Sequence, residues 1–503
     1  YSREIRLLAT PKRKIKMPSR LIDKITKMVT VDYCHLTFVE NPDGFLLDHD
    51  VCSLLRQEKN IEVIKGSQLA LRIHYELHYK QTQSYRYVYI CNDVNSLLPD
   101  MKREGVKLSF SISDVFPLFA DKNLVRKQTI DVLEILYSKY ATKRVLLTEG
   151  DSILKAINKD VEDKRSLSVA TFQYRLNMIA DDWNKLPETI GNLSAVIEEA
   201  IGVGVIGEIW NDINVINQKF QQWIDQSYFS TLASNPLLAP KSVNRILPHL
   251  KANYHQDDKL ALVVVDGISY WQYLILKKHL SKNGLKVNDN AIVSWLPSIT
   301  MLSRQAIFRG DMPRQDYQQN PNNEAKLWKE YWKQNGFSDF EIQYIYNNDE
   351  FIINGGVKRL AYVTVEMDEK MHSSSDLKEL HLLTEYWCTL IISKIETIIN
   401  NGYTIYLTTD HGNVLAKGWR LIKQEEKVYL FKDGSRGTRH LIYTDQIELR
   451  RFETDNAELD LLSHDNWLCI RNDRCFANER TKKITHGGSH FMEVAIPFIK
   501  ITK

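Results

Sequence analysis

The clearest hydrophobic pattern in the chain is an unbroken apolar run from Leu260 to Val265, which ends abruptly at Asp266 and Gly267. A strand that is apolar on both faces is typical of the centre of a parallel sheet covered by helices on both sides. Open α/β sheets bind ligands at the carboxyl ends of such strands, so Asp266 is a candidate site residue. An Asp-Gly pair also forms ordinary turns, and this acid alone does not establish a site.

Strand and helix patterns alternate in two parts of the chain. Residues 17–140 predict a small α/β domain, and residues 256–503 predict a larger, mostly parallel, doubly wound sheet. The region 141–255 between them predicts a helical domain, and its amphipathic segments are Gly150–Asp163, Val169–Lys185 and Gly191–Ala200. The basic segment 1–16 is typical of a solvated tail, with contact to nucleic acid or a partner as the alternative.

Composition narrows the class of protein. The chain has 503 residues, 43% of them hydrophobic, and a net charge of +3, which neither favours nor excludes nucleic acid as a partner. No apolar run reaches the roughly 18 residues that a membrane-spanning helix needs, and no secretory leader is visible. The six cysteines form no C-x-x-C pair. We therefore expect reduced thiols in a cytoplasmic protein that does not enter a membrane.

Acids and histidines follow several of the predicted strands. In a mostly parallel sheet the carboxyl ends of the strands meet at one edge, so these groups are expected to converge. Besides Asp266, the residues at strand ends are Asp368 and His372, Asp410 and His411, and His486 and His490 on either side of a Gly pair. Mixed Asp and His ligation suits zinc or a similar divalent ion, and a metal pair can clamp both ends of a phosphoryl displacement. The alternative is that these residues occupy loops by chance.

The segment SWLPSITMLSRQAIFRG adds a hydroxyl to this set. Its pattern predicts a helix from Met301 to Phe308, with Gly310 as the C-terminal stop and Thr300 at or next to the N-cap. Amide groups at a helix start suit a phosphate, and a metal-bound hydroxyl is a nucleophile near neutral pH. The alternative for Thr300 is a simple cap. Arg304 is a candidate for substrate contact, although an exposed position on the helix is the favoured interpretation.

Five stretches, taken together and in their order along the chain, resemble the PglZ domain, a branch of the alkaline phosphatase superfamily. They are VVVDGISY, LPSITMLSRQAIFRG, VEMDEKMH, LTTDHG and THGGSHFMEVAIPF. Upstream segments resemble the N-terminal region of longer PglZ proteins from BREX-type phage-exclusion systems, and these are ENPDGFLLD, ALRIHYELHY, KLSFSISDVFP and SVNRILPHL. The resemblance implies an alkaline phosphatase-like fold for the C-terminal domain.

The resemblance also implies two ligand sets. The first metal would be held by Asp266, Thr300, Asp410 and His411. The second would be held by Asp368, His372 and His486. The segment after the Gly pair departs from the usual PglZ pattern of acids, because it keeps only Glu493.

That departure leaves His486 and His490 as rivals for the last ligand position. Gly487 and Gly488 lie between them and disfavour a helix that would point both rings at one ion. The strand that follows draws His490 toward the sheet. We therefore expect His486 to be the ligand, with His490 packing beside it or contacting phosphate.

The function expected from these residues and this resemblance is a metal-dependent phosphodiesterase or phosphatase of a BREX-like defence system, with Thr300 as nucleophile. Two divalent ions are expected, zinc first, with manganese or magnesium as alternatives. Expected partners are other defence proteins, such as the methyltransferase component, and a phosphodiester or nucleotide substrate, nucleic acid included. The rival functions are a non-catalytic scaffold of a defence complex and a phosphomutase.

Overall fold

The computed structural model describes residues 20–80, 85–91, 97–179, 182–234, 239–314, 316–347, 351–432 and 434–503. The basic segment 1–16 lies outside these residues. The chain divides into two compact units, Tyr1–Leu167 and Ser168–Lys503, which we describe separately.

The first unit contains a four-stranded sheet in which every neighbouring pair of strands is parallel. The strands are β1 (Leu36–Glu40), β2 (Ile61–Lys65), β3 (Arg86–Ile90) and β4 (Val106–Ser109), in the spatial order β2-β3-β1-β4. The helices are α1 (Arg20–Val29), α2 (His49–Lys59), α3 (Gln68–His74), α4 (Pro99–Glu104), α5 (Ile112–Val115), α6 (Lys122–Arg126) and α7 (Ile130–Tyr140). The prediction of a small N-terminal α/β fold is confirmed.

The middle of the chain is helical, as predicted. Its helices are α8 (Leu147–Met178), α9 (Leu186–Gly202), α10 (Trp210–Trp223), α11 (Phe229–Ala233) and α12 (Ile246–Asn253). The sequence predicts two separate helices where α8 runs continuously. Residues 164–168 join them because this stretch contains neither Gly nor Pro to interrupt the hydrogen-bond ladder.

The centre of the second unit is a seven-stranded sheet. Its strands are β5 (Leu260–Val265), β6 (Lys286–Asn288), β7 (Ala291–Val293), β8 (Ile342–Tyr346), β9 (Arg359–Thr364), β10 (Thr404–Thr408) and β17 (Ala495–Thr502). Strand β5 lies between β10 and β9, parallel to both, and β8 extends the parallel part of the sheet. Strand β17 is antiparallel to β10, β6 and β7, so the sheet is mostly but not wholly parallel.

Both faces of β5 are buried, which explains its unbroken apolar sequence. Ala261, Val263 and Val265 belong to one hydrophobic core, and the alternate residues Leu260, Leu262 and Val264 belong to another. Helices α9, α13 (Tyr270–Lys282) and α17 (Leu377–Asn400) contribute to the first core. Helices α12, α14 (Thr300–Arg309) and α15 (Pro321–Gln334) contribute to the second. The predicted doubly wound fold is therefore confirmed.

Residues 414–485 form an insertion between β10 and the C-terminal strand that the sequence pattern does not predict. It contains two three-stranded sheets, β15-β11-β16 and β12-β14-β13. The strands are β11 (Val414–Gly418), β12 (His440–Ile442), β13 (Leu461–His464), β14 (Trp467–Ile470), β15 (Arg474–Cys475) and β16 (Lys482–Thr485). The remaining helices of this half are α16 (Glu366–Ser373), α18 (Gln424–Lys427), α19 (Gln446–Asp455) and α20 (Phe491–Val494).

Of the helices in the described part of the chain, none has the length and apolar character needed to cross a membrane.

Candidate metal centre

The sheet brings the predicted site residues together at one edge. Asp266 directly follows β5, and Asp410 and His411 come just after the neighbouring strand β10. Asp368 and His372 lie on α16, which begins two residues after β9, the other neighbour of β5. His486 follows β16, and Thr300 is the first residue of α14, with Ile299 as its N-cap. The carboxyl ends of three adjacent parallel strands therefore supply all three acids.

The first cluster contains Asp266, Asp410, His411 and Thr300. Ligand-type atoms of the two acids and the histidine lie within 4.8 Å of one another. His411 Nε2 lies 3.6 Å from Asp266 Oδ1 and 3.8 Å from Asp410 Oδ2, and the Thr300 hydroxyl is 3.1 Å from the same nitrogen. These atoms surround one small volume, with the only hydroxyl of the cluster at its edge.

Hydrogen bonds fix the protonation and orientation of these groups. His411 Nδ1 is 3.0 Å from the carbonyl oxygen of Gly412, an acceptor, so Nδ1 carries the proton and Nε2 presents a lone pair. Asp410 Oδ1 accepts hydrogen bonds from the amides of Gly267 and His411, at 3.2 and 3.1 Å. The other oxygen, Asp410 Oδ2, and Asp266 Oδ1 are buried and have no hydrogen-bond partner among the described residues. A cation is one group that would satisfy buried acceptors that lie close together without a donor.

Gly267 allows the close approach of the turn after β5 to helix α16. Its φ of +74° lies in the left-handed region, and an added Cβ would lie 3.2 Å from Asp368 Oδ1. Glycine is therefore needed at position 267 for two reasons: the backbone has a positive φ, and Asp368 occupies the space that a side chain would take.

The second cluster contains Asp368, His411 and His486, whose ligand-type atoms also lie within 4.8 Å of one another. His372 Nε2 lies 3.4 Å from Asp368 Oδ1, and neither atom has a hydrogen-bond partner among the described residues. His486 Nδ1 donates to the carbonyl oxygen of Ser298 at 3.0 Å, which leaves Nε2 as a lone-pair donor. The rings of His411 and His486 are stacked, with centroids 3.9 Å apart.

The charges of the centre repel one another in the absence of cations. Burial raises the pKa of Asp266 well above its usual range, and the neighbouring carboxylates of Asp410 and Asp368 raise it further. Burial would raise the pKa of Asp368 as well, but the imidazoles of His372 and His486 lower it to about 2. Burial and nearby His411 lower the pKa of His486 well below its usual value, which keeps the ring in the neutral form that binds metals. The donor set fits two divalent ions.

Arg304 occupies a different position from the exposed helix surface that the sequence favours. It is only 3% exposed, and Nη1 donates to Asp266 Oδ2 at 3.0 Å. Nη2 donates to Glu324 Oε2 at 2.7 Å, and the Tyr344 hydroxyl donates to the same oxygen at 2.6 Å. This buried network fixes Asp266 so that Oδ1 faces the cluster. Both ends of the Arg304 guanidinium are therefore engaged by carboxylates.

A buried ion pair shapes the Gly-Gly loop. Arg439 Nε donates to Glu493 Oε1 at 3.0 Å, and both side chains are fully buried. The amides of Gly488 and His490 donate to the same carboxylate at 2.9 and 3.2 Å. An added Cβ at Gly488 would lie 2.4 Å from Arg439 Nη2, so this position requires glycine.

His490 is turned into this loop. Its Nδ1 accepts a hydrogen bond from the amide of Met492 at 3.2 Å and caps the short helix α20. Burial lowers the pKa of His490 to about 3, aided by the positive charge of Arg439. The metal-ligand groups found among the described residues contain His486 and not His490.

Sequence reasoning missed Arg436, which lies at the mouth of the centre. Its Nη1 is 3.9 Å from Asp368 Oδ2, and its side chain is 62% exposed. The next residue, Gly437, lies close to His486: a Cβ added at Gly437 would be only 3.2 Å from His486 Cε1. No strand pattern marks this loop. Its only sequence signal is an arginine between two glycines in Gly434–Gly437, which does not reveal its distance from the strand ends.

Several solved structures resemble the chain. Phosphonoacetate hydrolase from Sinorhizobium meliloti 1021, solved with phosphonoformate, has 12% identity and a TM-score of 0.31 over 48% of this chain and 89% of that chain. Murine ectonucleotide pyrophosphatase/phosphodiesterase 5 has 11% identity and a TM-score of 0.32 over 48% and 88%. Its human counterpart has 11% identity and a TM-score of 0.31 over 48% and 87%.

Comparison with curated protein sequences gives no match. A sequence model of the family described as "BREX system PglZ alkaline phosphatase-like domain" matches residues 244–501, which is just over half of the chain and includes every candidate ligand described above. The resemblance inferred from the five sequence motifs is thereby confirmed. The chain belongs to the family of PglZ alkaline phosphatase-like domains of BREX systems.

Proposed function

We propose that this protein is a metal-dependent phosphoric ester hydrolase, a phosphodiesterase or phosphatase, with Thr300 as its nucleophile. The observation that carries the proposal is the position of the Thr300 hydroxyl. It lies 3.1 Å from His411 Nε2, and this nitrogen is 3.6 Å from Asp266 Oδ1 and 3.8 Å from Asp410 Oδ2, two oxygens without a hydrogen-bond partner among the described residues. A hydroxyl that lies close to candidate metal-ligand atoms would be activated as a nucleophile when a metal ion binds to them.

We assign the ligands in two sets. Asp266, Thr300, Asp410 and His411 would hold one ion, and Asp368, His372 and His486 would hold the other. The mixture of carboxylates and neutral imidazoles favours zinc, with manganese or magnesium as alternatives. When bound, such ions would lower the pKa of the Thr300 hydroxyl and neutralise charge on the phosphoryl oxygens.

The residues then divide the reaction between them. Thr300 Oγ1 gives up its proton to solvent and forms a bond to phosphorus while the ester bond to the leaving oxygen breaks, and that oxygen takes up a proton from solvent. Amide groups at the start of α14 stabilise the phosphoryl oxygens. Water then attacks phosphorus and releases Thr300, which regains its proton, so that each cycle consumes one water. His411, whose Nδ1 is held by Gly412, stays oriented toward Thr300 throughout.

The substrate we propose is a phosphodiester or a nucleotide, nucleic acid included. The partners we propose are other components of a BREX-like defence system, such as the methyltransferase, and the location we propose is the cytoplasm. Arg436 is the residue we assign to substrate contact in place of Arg304. Its exposed guanidinium beside Asp368 can reach a phosphate oxygen that enters the mouth of the centre. The family assignment supports the defence role.

The Thr300 variants test the nucleophile. Thr300→Ala should lose hydrolysis of a generic phosphodiester, while Thr300→Ser should keep a measurable rate. The alanine variant loses one hydrogen bond of a half-buried hydroxyl, so stability should fall by only about 1 kcal/mol. Steady-state rates and thermal unfolding check both points, with the exposed Thr389→Ala as the matched control. Normal turnover by Thr300→Ala would shift the nucleophile to Ser298, Ser303 or water.

Asparagine variants separate His486 from His490. His486→Asn should lose about one metal ion per chain and most of the rate. His490→Asn should keep both, because asparagine can still cap the amide of Met492. Elemental analysis of the zinc-reloaded proteins measures the difference. The assignment is wrong if His490→Asn loses the ion and His486→Asn retains it.

The Arg436 variants test substrate contact. Arg436→Ala should lower kcat/KM by about tenfold or more, mainly through KM, since a charge-assisted hydrogen bond contributes about 1.5–3 kcal/mol. Arg436→Lys should recover part of the loss. Arg450→Ala is the control, because Arg450 is 67% exposed and pairs with Glu453 on α19. An unchanged KM in Arg436→Ala would remove this residue from the substrate site.

An Asp410 variant separates catalysis from scaffolding. Asp410→Asn should abolish hydrolysis but preserve the fold, because the amide oxygen can still accept from Gly267 and His411. If chemistry is the function, phage defence in cells should fall together with hydrolysis. Asp257→Asn, at a side chain that is 97% exposed, is the control. Full defence by an Asp410→Asn protein without detectable hydrolysis would favour the scaffold function.

A further inference from the structure

A further group of side chains, two histidines and two glutamates, lies among three helices that pack on the same face of the central sheet. Glu198 is on α9, His279 is on α13, and His381 and Glu385 are on α17. His381 and Glu385 are four residues apart, so they share one face of their helix. We call these four residues the three-helix cluster. No local sequence pattern marks the cluster, because its members are scattered over nearly 190 residues.

The cluster is separate from the metal centre described above. Helix α13 begins at Tyr270, next to the Asp266–Gly267 turn, and His279 lies in its last turn. Two and a half helical turns separate these points, about 13 Å along the helix axis. None of the candidate ligands at the strand ends belongs to the three-helix cluster.

The distances suit a tetrahedral ion. His381 Nε2 lies 3.2 Å from Glu198 Oε1, and His279 Nε2 lies 2.7 Å from Glu385 Oε2. Ligand-type atoms of Glu198, His381 and Glu385 all lie within 4.8 Å of one another. Because zinc bonds to nitrogen and oxygen are about 2.0–2.1 Å long, neighbouring ligand atoms in a tetrahedral site are about 3.3 Å apart. Small side-chain movements would bring Glu198, His381 and Glu385 around an ion, and His279 would remain beside Glu385.

The surroundings hold the ligands in place and leave one way in. The side chains of Glu198, His381 and His279 are 9%, 11% and 15% exposed, whereas Glu385 is 41% exposed and opens to solvent. The Trp271 ring is nearly parallel to His381, at an angle of 5° and a centroid distance of 6.1 Å. Lys278 contacts Glu198 Oε2, which leaves Oε1 facing His381. That contact with Lys278 can persist while Oε1 ligates an ion.

We propose that Glu198, His381 and Glu385 bind a further divalent ion, zinc by the chemistry of its ligands, and that His279 orients Glu385. The ion would tie α9 to α17, and the contact of His279 with Glu385 adds α13 to this connection. No candidate nucleophile belongs to the three-helix cluster, so we assign the ion a structural role. The site therefore goes beyond the proposed hydrolase function and does not depend on it.

Zinc counting in the full-length protein tests the proposal. Protein stripped with chelator is dialysed against excess zinc, and bound zinc per chain is measured in wild type and in His381→Asn/Glu385→Gln. The double variant should bind about one ion fewer and should lose most of the zinc-dependent rise in melting temperature. It should keep hydrolysis within about twofold of wild type, because none of these residues belongs to the catalytic centre. Glu396→Gln, on the same helix, is the control.

Further variants keep the test decisive. If the double variant does not fold, Glu385→Gln replaces it, since this side chain is largely solvent-facing, and zinc affinity of one site should fall at least tenfold. Asp410→Asn should retain the ion of the three-helix cluster, so failure of the catalytic centre and failure of this site are distinguishable. Equal zinc content and affinity in wild type, Glu385→Gln and the double variant would overturn the proposal and leave two ion pairs, His381–Glu198 and His279–Glu385.

Discussion

The candidate metal centre depends on the convergence of buried acceptors that have no hydrogen-bond donors among the described residues. Asp266, Asp368 and Asp410 point their unpartnered oxygens toward the lone pairs of imidazoles at one edge of the sheet. Without cations this arrangement is unfavourable, which is why burial and mutual repulsion raise the pKa of Asp266. A fold can maintain such a site only if the backbone that carries it is rigid. The doubly covered strand β5, with a separate hydrophobic core on each face, provides that rigidity.

Around the acceptors, a second layer of contacts removes the freedom that the side chains would otherwise have. Arg304 holds one oxygen of Asp266, and the carbonyl oxygens of Gly412 and Ser298 fix the tautomers of His411 and His486. Each contact satisfies the atom that faces away from the centre and leaves the other atom to face inward. The same logic explains why Arg304 is buried with Glu324. Two carboxylates balance its charge, so a cation can lie next to the metal centre without competing for it.

The parts of this arrangement that sequence could predict are the local ones. The run Leu260–Val265 and the acids that follow the strands are set by periodicity and by the geometry of parallel sheets, and these predictions of fold class and family are confirmed. The burial of Arg304 could not be predicted, because its partner Glu324 lies on another helix and no local pattern links the two. Arg436 was missed for a similar reason. It lies in an insertion of short strands whose path back to the centre depends on long-range pairing, such as that of β11 with β16.

The insertion and the sheet therefore make different contributions to the site. The ligand-type residues Asp266, Asp368 and Asp410 come from strand ends whose positions are fixed by the sheet, and they cannot move relative to one another without disrupting its core. The loop that carries Arg436 is attached through side-chain contacts such as that of Thr438 with Thr485, and its arginine is exposed. In the function we propose, changes in that loop would alter which phosphate compound enters, while the three acids keep their positions. In the function we propose, the insertion therefore carries the residue for substrate contact and leads into one ligand, His486, whereas the ends of the sheet strands carry the three acids.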